Sequence, residues 1–255
     1  MLKLTYIGLL LLQALAQTHA GPGVVRLNPQ LNTIFAYQMD MNMAMTGAPG
    51  ADKSIDMNVT QSWKFTKKTD KGFHAIFKME DVSGSAELGD ALSKLKGTSE
   101  DVEIDSRGKV LSAKSSSGDQ AAQIMGSLTG LNTGFMGVLL PEAAPQEGLS
   151  WTEDMNLADA VFSGSDSHIK VNYRISKIED HYMWVESTAD KTLTLNPEGG
   201  PGMTLGMSIE TYTKVNMLDG MVEHEKLKTK TKMMGTPMGD VEMNLTGTIS
   251  LKSSK

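Results

Sequence analysis

Four methionines at alternate positions are the residues of this chain whose type and spacing could do chemistry. They are Met39, Met41, Met43 and Met45. Alternate positions of a β-strand share one face, so the four side chains would form a single row. Thioether sulfur is a ligand that Cu(I) favours, and a copper site is therefore one interpretation of the row. Neighbours in the row would lie about 7 Å apart, so a site would also need sulfur from a partner strand, such as that of Met57.

The same row has two interpretations that involve no metal. Methionine fills irregular gaps in a hydrophobic core, where it would pack against aromatic residues such as Trp63 and Phe77. Flexible methionines also line cavities that adapt to varied apolar ligands. A bent sheet too large for one helix to fill would leave such a cavity. Core, cavity and copper site stay open on the sequence alone, although no cluster of histidine and methionine marks a metal site.

Sequence signatures of enzymes are absent from the chain. It contains no HExxH, Gly-x-Ser-x-Gly, P-loop or Rossmann glycine motif. Since it has 19 methionines but no cysteine, thiol nucleophiles, disulfides and thiolate metal sites are excluded. The formal net charge of −6 argues against binding to nucleic acid, which needs a basic face. We therefore predict a protein that is not an enzyme, with no catalytic residues, resident metal or cofactor.

The first 20 residues have the pattern of an export signal. Lys3 precedes an apolar run over 4–12, and small residues follow, with cleavage after Ala16 or Ala20. The run is shorter than the ~20 residues that span a membrane, and no later stretch is long and apolar enough to do so. We expect a signal peptide over 1–20 and an exported protein, periplasmic or extracellular, with no transmembrane span after cleavage.

Alternation of apolar and polar residues continues along most of the chain and predicts β-strands. The odd positions over 35–45 are apolar, and the pattern returns after turns over 55–65 and 73–79. Short turns join neighbouring segments, which favours antiparallel pairing. The first strand would be about 36 Å long at ~3.3 Å per residue, which suits a large curved sheet. Nothing resembles a linker between domains, so we predict a single domain over 21–255.

One segment, 118–140, changes period and predicts the main helix. Ile124, Leu128, Leu131 and Phe135 recur at helical spacing, and Pro141 follows. Glycines on a second stripe lower the helix propensity, so packing against the sheet must hold this helix. The predicted fold is mainly β, of the α+β kind. It is a single large bent antiparallel sheet or half-barrel of about ten strands, with one main helix packed on the concave face.

Several pieces of the chain carry a family resemblance. They are the export signal, the early strands ending at Trp63-Lys64-Phe65, the hairpin over 104–110 and the segment over 140–151. In these pieces the chain resembles the DUF6263-like family of uncharacterised exported bacterial proteins. The family has no established activity, so the resemblance implies export and fold but no functional residue. The predicted architecture is also similar to LolA-type and LppX-type periplasmic lipoprotein carriers, although the chain lacks the lipid-anchor cysteine of the lipoprotein members.

The preferred functional hypothesis follows from long one-sided strands that a single helix would have to cover. We predict that the concave face binds a hydrophobic small molecule or lipid. The residues predicted to face this ligand are Tyr37, Met39, Met41, Met43, Met57, Trp63, Phe77, Leu128 and Leu131. The alternative is a structural or interaction module with a solid core and no ligand, and a periplasmic Cu(I)-binding protein is less favoured. The sequence leaves the ligand's identity and the oligomeric state open.

Overall fold

The computed structural model describes residues 23–47, 52–85, 93–115, 135–156, 168–195, 203–235 and 239–255. The strands are β1 (Ile34–Thr46), β2 (Lys53–Lys68), β3 (Gly72–Gly84), β4 (Ser99–Asp105), β5 (Val110–Ser115), β6 (Ser150–Asn156), β7 (His168–Glu179), β8 (Tyr182–Leu195), β9 (Met203–Asn216), β10 (Val222–Met234) and β11 (Val241–Ser254). A 3₁₀ turn, Phe135–Gly137, precedes β6. The predicted signal peptide lies outside the described residues.

The eleven strands within the described residues form one antiparallel sheet in the order β5-β4-β3-β2-β1-β11-β10-β9-β8-β7-β6. Two meanders, β1 to β5 and β6 to β11, meet where the first strand pairs with the last. The edges of the sheet are therefore β5 and β6, which follow each other along the chain. The prediction of a mainly β fold with one large antiparallel sheet is confirmed, with eleven strands in place of about ten.

The alternation of apolar and polar residues separates the two faces of the sheet. In β1, Met41 is buried whereas its neighbour Asp40 is exposed. Met41 lies opposite Met57 of β2 on one side and Gly247 of β11 on the other. A Cβ atom at position 247 would lie 3.1 Å from Cγ of Met41. The missing side chain therefore makes room for the methionine on the inner face.

Residues 23–33 bridge one end of the sheet, named here the closed end. The N–H of Leu27 donates to the carbonyl oxygen of Ser106 in the β4–β5 turn, at 2.8 Å. The N–H of Asn28 donates to the carbonyl oxygen of Asp219 in the β9–β10 turn, at 2.7 Å. Because these turns belong to distant strands of the sheet, the bridging segment must cross the space between them.

Aromatic side chains fill the interior next to the closed end. Phe65 contacts Phe35 and Phe73 edge to face, with ring centroids 5.9 and 6.0 Å apart. Tyr37 is fully buried, and its hydroxyl donates a hydrogen bond to the carbonyl oxygen of Val222 at 3.0 Å. Buried aromatic pairs of this kind add to the free energy of burying their area. The closed end is thus a solid core shared by β1, β2, β3 and β10.

Arg107, in the β4–β5 turn, joins the two edges of the sheet. Its Nε donates to the carbonyl oxygen of Leu140 at 2.8 Å, and its Nη1 donates to Glu142 at 3.1 Å. Its Nη2 forms an ion pair with Glu153 of β6. The two side chains of this pair are only 18% and 22% exposed, so water screens their charges weakly. The sheet is therefore curved enough for its edges to meet at the closed end.

The prediction of a helix over 118–140 is wrong for its last residues. Over 135–140 the chain forms the 3₁₀ turn and then runs without helical structure. Met136 has a φ of 54° and Gly137 a φ of 78°, and such left-handed residues end a right-handed helix. Residues 116–134, with Leu128 and Leu131, lie outside the described residues. No α-helix over the concave face, and none long and apolar enough to cross a membrane, occurs in the described ranges.

We expect Arg107→Ala to lower the free energy of unfolding by about 2–4 kcal/mol, because it leaves the carboxylate of Glu153 and the carbonyl of Leu140 without their donor. Urea unfolding measures the change. Arg174→Ala, on the exposed face of β7, is the matched control and should cost less than ~1 kcal/mol. Equal losses in the two variants would contradict a structural role for the contact between the edges.

Candidate functional site

The concave face forms a half-open cavity of about 390 Å³ next to the solid core of the closed end. Among the described residues, those of every strand except β6 contribute to its wall, together with Met136 and Gly137 of the 3₁₀ turn. Strands from both meanders can line one cavity only because the sheet curves. A volume of this size lies within the range of pockets that hold small ligands, ~300–1,000 Å³.

Methionine is the most frequent apolar residue in the cavity wall. The six methionines are Met39, Met41, Met43, Met136, Met207 and Met243. They come from β1, β9, β11 and the 3₁₀ turn, so the row predicted on one strand is part of a surface shared by several. Long unbranched thioether side chains adapt to ligands of different shape. The wall therefore combines a fixed backbone with adaptable side chains.

The structure places five of the predicted ligand-facing residues in the cavity wall. They are Met39, Met41, Met43, Trp63 and Phe77. Tyr37 and Met57 are buried in the core but do not line the cavity. Tyr37 is on the same face as the methionines but is held at the closed end by its bond to Val222. Whether the five bind a ligand stays a prediction.

The copper interpretation also stays a prediction. The register pairs Met41 with Met57 and Met45 with Met243 across neighbouring strands. Partner strands therefore do bring thioether-bearing residues opposite each other. Among the described residues no group of three or more histidines, aspartates or glutamates could hold a metal ion.

Polar residues interrupt the apolar wall, and sequence reasoning did not select them. Gln61 of β2 is buried, and its Nε2 contacts the sulfur of Met136 at 3.3 Å. Ser187 and Thr211 are hydrogen-bonded to each other at 2.7 Å. The most deeply buried acidic residue of the wall is Glu225 of β10, only 3% exposed. Its odd position, in phase with Leu227, is the signal that could have placed it on the inner face.

Glu225 lies directly beneath the 3₁₀ turn. A Cβ atom added at Gly137 would lie 2.9 Å from Oε1 of Glu225, so the carboxyl group packs against the glycine backbone. Among the residues that the structure describes, Oε2 of Glu225 has no hydrogen-bond partner. Burial raises the pKa of Glu225 to about 8, because the charged form loses its hydration. The carboxyl group is therefore mostly protonated at neutral pH and carries an O–H donor.

Tyr173 of β7 is the next ionisable group on this side of the cavity. Burial raises its pKa well above the ordinary value, and the charges of Glu153 and Glu225 add to the effect. Glu100 of β4, in the opposite wall, has a pKa raised by burial. In both groups burial disfavours the charged form. Arg107 is engaged by Glu142 and Glu153.

The arrangement of strands has a counterpart of known structure. A lipovitellin structure that concerns lipid–protein interactions matches 89% of this chain with a TM-score of 0.56 and 11% sequence identity. The fold is similar to part of lipovitellin. The match covers 26% of the lipovitellin chain, so this protein spans about a quarter of its length. At this identity the likeness concerns the fold alone.

No protein-family model and no curated protein matches the chain. The resemblance to the DUF6263-like family therefore stays a prediction.

Glu225→Gln should change how stability depends on pH. The native carboxyl group keeps its proton up to pH of about 8, whereas an unfolded one releases it near 4.5. The native state thus binds more protons between these values, and the wild type loses stability as the pH rises through them. Between pH 4.5 and 8.5, the free energy of unfolding of the variant should rise by roughly 3–5 kcal/mol relative to that of the wild type. Urea unfolding across this range measures the difference, and parallel profiles would refute the burial of a protonated carboxyl group.

Gly137→Ala should destabilise the protein more than Gly148→Ala. Both glycines have a left-handed φ, +78° and +82°, but only position 137 would place the new Cβ against Glu225. The left-handed conformation alone costs about 1–2 kcal/mol, and overpacking against the carboxyl group adds about 1–3 kcal/mol. Thermal unfolding measures the stability of both variants. The extra loss in Gly137→Ala, compared with Gly148→Ala, should disappear when Glu225→Ala is combined with Gly137→Ala. An equal cost at the two glycines would show that the carboxyl group lies elsewhere.

Proposed function

We propose that this chain is an exported, non-enzymatic protein that binds an apolar or lipid-like ligand on its methionine-rich concave face. The observation that carries the proposal is the cavity of about 390 Å³, whose wall is built from ten strands of one curved sheet. A half-open, mostly apolar cavity of this size is favourable to fill with hydrocarbon, because burying apolar area gains about 25 cal/mol per Å².

The chemistry of the wall supports a ligand that is held mainly by its shape and apolar surface. Aromatic side chains on one side, including Trp63 and Phe77 with ring centroids 4.9 Å apart, give a rigid surface. The methionines opposite and beside them supply adaptable contacts. The fold-level likeness to part of lipovitellin is compatible with lipid binding and adds weak support. Export rests on the pattern of residues 1–20.

Filling the cavity should abolish binding without disturbing the fold. The purified protein is titrated with the fluorescent apolar probe N-phenyl-1-naphthylamine. Thr229→Trp places a large ring in the cavity wall and should weaken binding of the probe at least ~10-fold, since the ring occupies the volume that the probe needs.

Thr188→Trp is the matched control, because Thr188 is exposed on the outer face of β8. This variant should bind the probe as the wild type does. Weakening by both variants alike would place the probe outside the cavity. A wild type that shows no saturable binding would instead favour the module with a solid core.

A further inference from the structure

Glu225 is a feature that a purely hydrocarbon ligand would leave unexplained. Its side chain is nine-tenths buried or more, lines the cavity and leaves Oε2 without a hydrogen-bond partner in the described ranges. A polar group that stays unsatisfied in an apolar surrounding costs roughly 1–3 kcal/mol. An apolar residue at this position would avoid that cost. A ligand that forms a hydrogen bond with the carboxyl group would account for the presence of an acidic residue.

A second polar atom without a partner lies on the neighbouring strand. The register pairs Glu225 of β10 with Thr213 of β9. Thr213 is 1% exposed, and its Oγ1 likewise has no hydrogen-bond partner among the described residues. The other neighbour of Glu225 in the sheet is Ile249 of β11, which is apolar. Two unsatisfied polar side chains are therefore paired on neighbouring strands, and of the two it is Glu225 that lines the cavity.

The charged groups around this position disfavour an ionic ligand. Glu100 of β4 stands in the wall, Glu153 of β6 lies beyond Tyr173 of β7, and Arg107 is already bonded to Glu142 and Glu153. Among the described residues of the cavity wall there is no lysine, arginine or histidine, so an anionic head group would meet acids but no cation to pair with. A cationic head group would require both itself and Glu225 to be charged in an apolar surrounding, which carries a high desolvation cost.

We propose that Glu225 binds the polar end of an amphiphilic ligand, and that this end is an uncharged carbonyl group, as in an ester or a ketone. The inference rests on the proposed function. A protonated carboxyl group offers one O–H donor, and a carbonyl oxygen has lone pairs that can accept it. The apolar chain of the ligand then extends along the methionine wall, away from the closed end. Burial holds the pKa of Glu225 at about 8, so the carboxyl group is a donor at neutral pH.

The experiment compares octan-2-one with octane as competitors of N-phenyl-1-naphthylamine at pH 6.5. Glu225→Leu should weaken the binding of octan-2-one at least ~10-fold, because the ketone loses its hydrogen-bond donor. Octane should bind this variant as it binds the wild type. Glu225→Gln, whose amide group still donates a hydrogen bond, should bind octan-2-one with a Kd within about threefold of that of the wild type. A parallel change for both competitors in Glu225→Leu would overturn the inference.

The dependence on pH and on head-group charge gives a second test that needs no apolar substitution. Octan-2-one should bind the wild type more weakly as the pH rises from 6.5 to 9.5, because Glu225 loses its proton. In Glu225→Gln its affinity should not change over this range. Tighter binding of octylamine than of octan-2-one to the wild type would overturn the inference in favour of a cationic ligand. If neither octane, octan-2-one nor the fluorescent probe binds, the proposed function itself fails.

Discussion

The pairing of the first strand with the last is the constraint on which the rest of the structure depends. The register runs from Phe35 opposite Ser254 to Thr46 opposite Glu242, so it joins segments that are far apart in sequence. Such pairing costs more loop entropy than the hairpins on either side of it. The two meanders can form from local turns, but neither has a concave face with opposing walls. The interior exists only after β1 and β11 have met.

The interior of the joined sheet changes character along its length. Aromatic side chains pack solidly at the closed end, where residues 23–33 and Arg107 hold distant turns together. Farther along, methionine is the most frequent apolar residue among the described residues of a wall that borders a half-open cavity. Glu225 marks the boundary on β10, since it follows the fully buried Val222 and precedes the cavity-lining Leu227. A carboxyl group at this boundary lies where side-chain packing no longer fills the space.

The alternating pattern over 35–45 was sufficient to predict a strand, its inner face and the antiparallel turns that follow, because these depend on local geometry. The pairing of β1 with β11 could not be predicted, since no local turn specifies it. The predicted helix over 118–140 was wrong at its end, because left-handed residues at Met136 and Gly137 override the apolar spacing. The odd position of Glu225 in the alternating pattern is consistent with the inner face. Because an acidic residue is usually exposed, the sequence did not indicate its burial, which only the fold shows.

The guanidinium group of Arg107 connects the two edges of the sheet, β5 and β6, at the closed end. The strands in the middle of the sheet are joined by continuous ladders of backbone hydrogen bonds. A change in curvature about the paired strands β1 and β11 would alter the volume of the cavity while the ladder hydrogen bonds of the sheet stay paired. The range of sizes that the interior can accept is then set by the elasticity of the backbone as much as by the side chains of its wall.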